Sequence, residues 1–510
     1  MPKTGGICYF YVVKVALVYP DYAPSKSLAA PADYGFYSEG ISSVAAVLQE
    51  AGHAVSLVHL IRAPSDEEFG ARLAAADADL VGFSCRTTIW PEVRRLARVA
   101  KEKTKAPVVV GGVHATLAPE EVAAAAEVDV VVVAEGEYPF LELCDALERG
   151  KDFRALPNLW TRRNGDMVRN AARPALENLD RLPLPAYDIY DAAILYDVAI
   201  DTGPVMLSRG CPYQCAYCCN HQLKRAYPNR KHYARFRSPG RSIQYIQNLR
   251  ARFPNIKYLN ITDNILPLDR EWFLDFAARY RAEVGLPFVC RWRHNLVTPE
   301  LVAALKDAGC YLIHFGLESG NDEIRRRVIN RQMSNDQIAA AHALCREAGI
   351  ATLTYSMVGL PHETKAKFLD TVKLNARVRP NRIVLSVFYP YPHTDLHDLS
   401  ERENLLAPEF DYERESYLSQ PAFPVAQVRF CQAYFVPAIR YYQLLAKLGA
   451  FGRALARLSD AVYRSRWLPH TILVWEARLV RGLFDGAKLF VRRRLPKLYL
   501  KLRDLRVRRA

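Results

Sequence analysis

Three cysteines fall within eight residues in Cys211-Pro-Tyr-Gln-Cys215-Ala-Tyr-Cys218, directly after the apolar run Val205–Ser208. A strand that delivers a compact arc of thiolates points to an iron–sulfur cubane, which takes four ligands. Three from the chain leave one iron open to a substrate or cofactor, so the loop reads as reactive rather than as an electron relay. Structural zinc and unrelated buried thiols are the competing readings. Zinc usually closes its tetrahedron with paired motifs. The chain offers no second pair, and Cys219 follows Cys218 too directly to reach the same ion with ease.

Eleven cysteines in 510 residues are too sparse for a disulfide scaffold and suit a reducing compartment. No apolar run reaches the roughly 18 residues of a membrane span. Lys14 interrupts the apolar stretch Ile7–Tyr19, which lacks a small-residue cleavage site. It reads as a strand and not a signal peptide, and the cytoplasm is the expected location. The net charge of +15, from 69 basic and 54 acidic residues, belongs to the C-terminal end. Residues 421–510 carry 19 Lys and Arg against 4 Asp and Glu, which leaves 50 against 50 elsewhere.

Residues 12–150 alternate strand and helix. Val12–Tyr19, His53–Leu60, Leu80–Cys85, Pro107–Gly111 and Val128–Ala134 are short, apolar and β-rich, while Ile41–Ala51 and Pro91–Lys103 have helical spacing. This is the pattern of a doubly wound parallel α/β sheet, which binds ligands outside the carboxyl ends of its strands. Standing there are Tyr19-Pro20, Ser84 to Trp90, Gly111-Gly112-Val113-His114-Ala115-Thr116 and Glu135-Gly136-Glu137. A glycine pair admits a ligand close to the backbone, although it also simply makes turns. Residues 176–198, with Pro183 and Pro185 among scattered acids, read as a linker. A second alternation follows, with strands at Val205–Ser208, Tyr258–Ile261, Phe288–Arg291, Tyr311–Phe315, Thr352–Met357 and Arg382–Phe388. Six strand–helix repeats make a partial (βα)6 barrel with its chemistry at the strand ends.

With Tyr217 before its third cysteine, the loop resembles the CxxxCxxC signature of the radical S-adenosylmethionine (SAM) superfamily. The Gly111–Thr116 and Glu135–Glu137 stretches resemble the cobalamin (B12)-binding domain that precedes many of those barrels. The likeness covers roughly residues 12–400. It implies a Rossmann-like B12-binding domain over 1–175, the linker 176–198 and a radical SAM barrel over 199–400, ahead of a helical region over 401–510. It implies that Cys211, Cys215 and Cys218 hold a [4Fe-4S] cluster whose open iron SAM chelates. One-electron cleavage of SAM then gives a radical that abstracts hydrogen from unactivated carbon.

Seven residues fall where the family holds SAM: Tyr217, Asp263, Asn264, Glu318, Ser319, Arg331 and Gly359. Asp263-Asn264 would accept from the SAM ammonium, with a helix N-cap as the alternative. Glu318-Ser319 would meet the ribose diol. Arg331 would pair with the SAM carboxylate, with a surface helix position as the alternative, since Gln332 replaces the usual glycine. Gly359, in Gly-Leu-Pro361-His-Glu363-Thr364, would lie near the adenine. Ser84, Gly111, Gly112, His114, Thr116, Glu135, Gly136 and Glu137 fall where the family seats cobalamin, His114 as a polar contact with its periphery. The cobalt-ligating DxHxxG motif is absent. Asp21-Tyr22-Ala23-Pro24 stands in its place, so cobalt takes no histidine from that position and Arg86–Trp90 is expected to face the lower side of the corrin. His393 replaces the glycine of the family's PxPGT loop, on the substrate side.

The resemblance implies a cobalamin-dependent radical SAM enzyme that methylates an unactivated carbon of a small-molecule or lipid-like substrate, with flavodoxin or ferredoxin as reducing partner. The alternatives are tetrapyrrole-type oxidative cyclisation or rearrangement without net methylation, a radical SAM enzyme with a non-functional B12 domain, and a regulator without turnover. The intact cysteine loop speaks against the last. In the tail, Tyr434–Leu448 and Thr471–Leu495 carry apolar residues at helical spacing with Arg and Lys between, ending in Arg492-Arg493-Arg494. A cap over the barrel mouth, peripheral contact with the inner membrane surface and, least favoured, nucleic-acid contact are the three readings of it.

Overall fold

The computed structural model describes residues 12–22, 34–163, 166–407, 416–465, 467–477 and 479. Ala23-Pro24, Phe484, Leu489, Phe490 and Arg492–Arg494, singled out above, lie outside the described residues. The first domain runs β1 (Lys14–Pro20), α1 (Glu39–Glu50), β2 (Ala54–Leu60), α2 (Asp66–Ala76), β3 (Leu80–Ser84), α3 (Trp90–Lys103), β4 (Val108–Gly111), α4 (Val113–Leu117), α5 (Pro119–Ala124), β5 (Val130–Val132) and α6 (Glu137–Glu148). The strands are short and apolar because helices cover both faces: every β1 residue after Lys14 is buried. Strand order is β2-β1-β3-β4-β5, all parallel, and the order reverses between β1 and β3. An antiparallel hairpin, β6 (Leu159–Arg163) and β7 (Asp166–Arg169), extends the sheet beyond β5. The sequence reading did not anticipate it, because Arg162, Arg163 and Arg169 break its apolar pattern.

The barrel follows as α7 (Tyr196–Ala199), β8 (Thr202–Val205), β9 (Ser208–Arg209), α8 (Cys219–Leu223), β10 (Arg235–Phe236), α9 (Pro239–Arg252), β11 (Tyr258–Ile261), α10 (Arg270–Glu283), β12 (Phe288–Trp292), α11 (Pro299–Asp307), β13 (Cys310–Glu318), α12 (Asn335–Glu347), β14 (Ala351–Val358), α13 (Lys365–Val378) and β15 (Arg382–Val387). Six strands stand parallel in the order β15-β14-β13-β12-β11-β8. The strand expected over Val205–Ser208 is corrected here. The barrel strand stops at Val205, and Ser208-Arg209 instead pairs antiparallel with Arg235-Phe236.

The two domains are joined by buried ion pairs. Arg235 donates both guanidinium ends to Glu135, at 2.8 and 3.1 Å. Arg209 reaches Glu135 at 3.2 Å and Glu137 at 2.5 Å, and also donates to Ser43 Oγ. Arg237 lies 3.5 Å from Glu39, which accepts from Tyr245 and Tyr37. Burial opposes the charge on Glu135, yet Arg209 and Arg235 hold its carboxyl below the usual range. Glu135 and Glu137 were expected to contact a ligand. Both oxygens of Glu135 and Oε1 of Glu137 pair with arginines of the barrel.

After α14 (Asp395–Arg402), α15 (Val425–Ala446) and α16 (Gly449–Arg464) cover the α13 side of the barrel, with Phe368 against Phe435 in a shared apolar core. Gln420 Nε2 donates to the Leu360 carbonyl and its Oε1 accepts from His362 N–H, which ties this cap to the loop after β14. In that loop Glu363 is fully buried and accepts from Gly359 and Leu360 N–H, and burial pushes its carboxyl up to about 8.

Two outcomes follow from these buried charges. Arg209→Met leaves Glu137 without its cation and Glu135 with Arg235 alone, and is expected to cost about 3 kcal/mol. A calorimetric midpoint within a degree of wild type would contradict this. A carboxyl raised on folding binds its proton more tightly in the native state, so its stabilising effect is present below the unfolded value and is lost as pH rises toward about 8. The wild-type thermal midpoint should therefore fall between pH 5 and pH 8 more than that of Glu363→Gln. Equal slopes would show that Glu363 is ionised when folded.

Candidate functional site

The cysteine loop hangs between the two domains. Its start is fixed by Arg209 on the first-domain side and by Asp263 beneath. Asp263 is fully buried, and its carboxylate accepts from Leu207 N–H and the Ser208 hydroxyl. The carboxylate braces the turn into the loop, and the cap of the following helix is Asp269, not Asp263. Asn264 Nδ2 donates to the Gly210 carbonyl, bracing the same turn.

The far end of the loop is strapped to the segment after β13. A π-turn at Ile324–Val328 leads into it, and such turns often mark functional sites. Ala216 N–H donates to the Ile329 carbonyl, and Asn330 Nδ2 to the Gln214 carbonyl at 2.8 Å. Arg331 is buried, not a surface helix residue. Its Nη1 lies 3.7 Å from Cys215 Sγ and 3.1 Å from Tyr217 Oη, and its Nε is buried without a partner. Arg293, which the sequence reading missed, places Nη1 3.5 Å from the same sulfur and stacks on Tyr213 at 3.8 Å. Two guanidiniums thus face one sulfur. The Cys219 thiol beside it, with Asn220 N–H, pulls the Cys218 thiol down to about 6 against burial.

Structural zinc usually closes its tetrahedron with paired motifs, and the chain offers no second pair beside this loop. A cubane can take one thiolate from the loop on each of three irons.

Beside the loop, Tyr217 donates to Glu318 at 3.0 Å. Glu318 holds φ +62°, a strained setting for a glutamate that turns its carboxylate inward at the end of β13. Burial pushes that carboxyl above the usual range, opposed by Arg331 and Tyr217. Ser319 is fully buried and accepts from Asn321 N–H, so it shapes the turn and presents no hydroxyl to a ligand. Gly359, at φ +84°, faces Val428 of the cap and gives its N–H to Glu363.

On the first domain, Gly112 has φ +96°, and a Cβ there would lie 2.9 Å from the Cys85 carbonyl. Ser84 Oγ borders the same turn, and Gly111 and Gly136 sit beside Val132 at the strand ends. The Thr116 hydroxyl donates to Gly112 and accepts from Ala134 N–H, so it braces the loop instead of facing outward. His114 is buried beside Trp90 with neither ring nitrogen hydrogen-bonded, and burial together with His393 pushes its imidazole down to about 4. It stays neutral near pH 7. α4 packs directly against α8, the helix that begins at Cys219, so the ligand-facing turns of the two domains meet.

Residues 26–144 match the family described as B12 binding domain, and residues 205–374 match the Radical SAM superfamily. The chain carries a B12-binding domain followed by a radical SAM domain. Across the B12-binding and radical SAM domains it is similar to an uncharacterised methyltransferase of Pyrococcus horikoshii, 29% identical over 65% of this chain and 71% of that protein. It is also similar to the anaerobic magnesium-protoporphyrin IX monomethyl ester cyclase of Rubrivivax gelatinosus, 24% identical over 72% of this chain and 65% of the cyclase. Its fold matches that of the cobalamin-dependent S-adenosylmethionine radical enzyme OxsB, solved with aqua-cobalamin and S-adenosylmethionine, at TM-score 0.66 and 14% identity over 93% of this chain and 75% of that one.

In the radical SAM domain the basic residues missed from sequence, Arg209, Arg235 and Arg293, have a common signal. Each lies at or just beyond the end of a short strand, where a buried charge has something to hold. Separate alanine replacements of Cys211, Cys215 and Cys218 should each abolish most iron uptake on anaerobic reconstitution, while Cys219→Ala should retain about four irons per chain. Loss of iron in Cys219→Ala with retention in Cys211→Ala would overturn the assignment.

Proposed function

We propose that this protein is an enzyme that methylates an unactivated carbon of a small-molecule substrate in a cobalamin-dependent radical SAM reaction. The observation that carries the reading is the junction of the two domains: the cysteine loop and the B12-domain strand ends face one another across α4 and α8. When bound, the cluster with SAM supplies a hydrogen-abstracting radical and cobalamin supplies the methyl group. Cys211, Cys215 and Cys218 hold the cluster, with the guanidiniums of Arg293 and Arg331 against Cys215 Sγ. Glu318, oriented by Tyr217, accepts from the SAM ribose, and the unpartnered Nε of Arg331 is available to an anionic group of SAM. Gly112 lets its turn close against the Cys85 backbone at the strand ends, and neutral His114 in the following helix offers the corrin a ring nitrogen. The substrate is lipid-like or another small molecule, electrons come from flavodoxin or ferredoxin, and the reaction runs in the cytoplasm.

The similarity to the cyclase supports a second reading, oxidative cyclisation or rearrangement with the same cofactors. Products separate the two. In turnover with a candidate substrate, methylation gives S-adenosylhomocysteine and 5′-deoxyadenosine in equal amounts and a product about 14 mass units heavier. 5′-Deoxyadenosine without S-adenosylhomocysteine would sink methylation and favour the second reading.

A further inference from the structure

The C-terminal cap presents an apolar face that no described residue covers. Of fifteen large hydrophobic side chains exposed among the described residues, eleven lie between Val436 and Leu479. That concentration marks a surface, where scattered exposed residues would not. Phe451, Leu458 and Val462 share the outer face of α16, preceded by Leu444 at the end of α15 and followed by Trp467 and Trp475. Phe451 is 71%, Trp467 85% and Trp475 65% exposed.

The opposite face of α16 fixes this orientation. Leu455, Ala456 and Tyr463 pack into the core shared with α13 and α15. Asp460 points inward to Lys373 and Tyr442, which removes its charge from the outer surface. Arg453, Arg457 and Arg464 are exposed on a separate face of α16, roughly 120–160° around the helix from Phe451, Leu458 and Val462, and make no ion pair among the described residues. Residues 480–510 add eleven Lys and Arg against two acids in sequence.

We propose that this face docks peripherally on a bilayer rich in anionic phospholipid. An exposed apolar face with exposed tryptophans beside it, on a cap whose unpaired cations stand on the adjoining surface, matches the acyl boundary and headgroup layer of such a bilayer. No helix among the described residues is long and apolar enough to cross a membrane, so the contact is one of lying on the surface. This inference goes beyond the methylation reading and does not depend on it.

The full-length reconstituted protein is sedimented with vesicles of phosphatidylcholine alone or mixed with phosphatidylglycerol, and tryptophan quenching by brominated lipid is followed in parallel. The expected result is on the order of tenfold more protein on the anionic vesicles, reversed by high salt. Quenching should be lost in Trp467→Phe/Trp475→Phe. Phe451→Asp/Leu458→Asp should lower binding on the order of tenfold, with iron content and thermal midpoint as in wild type to show that it folds. Equal binding to both vesicles, or none, would overturn the proposal. So would concentration-dependent dimerisation that shields the tryptophans without lipid, which would make a second copy the occupant. Binding that appears only after removal of residues 480–510 would show that the chain's own end covers the face, and would overturn it equally.

Discussion

Arg209 lies two residues before Cys211 and buries its guanidinium between two carboxylates of the other domain. Taking three charges out of water is costly unless each is paired, and here every partner lies across the domain boundary. The position of the cysteine loop is therefore set by the B12-binding domain as much as by the barrel. Arg235 doubles the contact to Glu135, and Glu39 with Arg237 repeats it deeper in the interface. A hinge between the domains would expose all of these groups at once. The interface thus favours two sites fixed in advance over two sites brought together during turnover.

Around the loop the three thiols differ. Arg293 and Arg331 approach Cys215, Cys219 and Asn220 acidify Cys218, and burial pushes Cys211 up. The π-turn and Asn330 hold the loop from the far side, so the same short segment that carries Arg331 also fixes the distance to the sulfur. The strained φ of Glu318 belongs to this economy of space: a bulge between Gly316 and Glu318 at the end of β13 brings a carboxylate within reach of Tyr217.

Much of this was legible in the sequence. Strand and helix positions followed from short apolar runs punctuated by Gly and Pro, and the cysteine spacing pointed to a cubane. The structure adds what the sequence could not show. Asp263, Ser319, Thr116, Glu135 and Glu137 each have an internal partner, and a ligand contact and an internal brace look identical in sequence. Only the partner decides, and the partners lie far along the chain: Leu207 for Asp263, Arg209 and Arg235 for Glu135. The hairpin Leu159–Arg169 was hidden for the opposite reason, since an edge pair rich in arginine lacks the buried pattern that marks a strand.

The central claim is that three cysteines hold a cluster with one open iron beside a cobalamin site. Electron paramagnetic resonance of the anaerobically reconstituted, reduced protein before and after SAM, together with cobalt analysis, tests it most directly. The account predicts a cubane signal that shifts when SAM binds the open iron, and about one cobalt per chain. A cubane signal unmoved by SAM, or a chain that takes up zinc in place of iron, would contradict it.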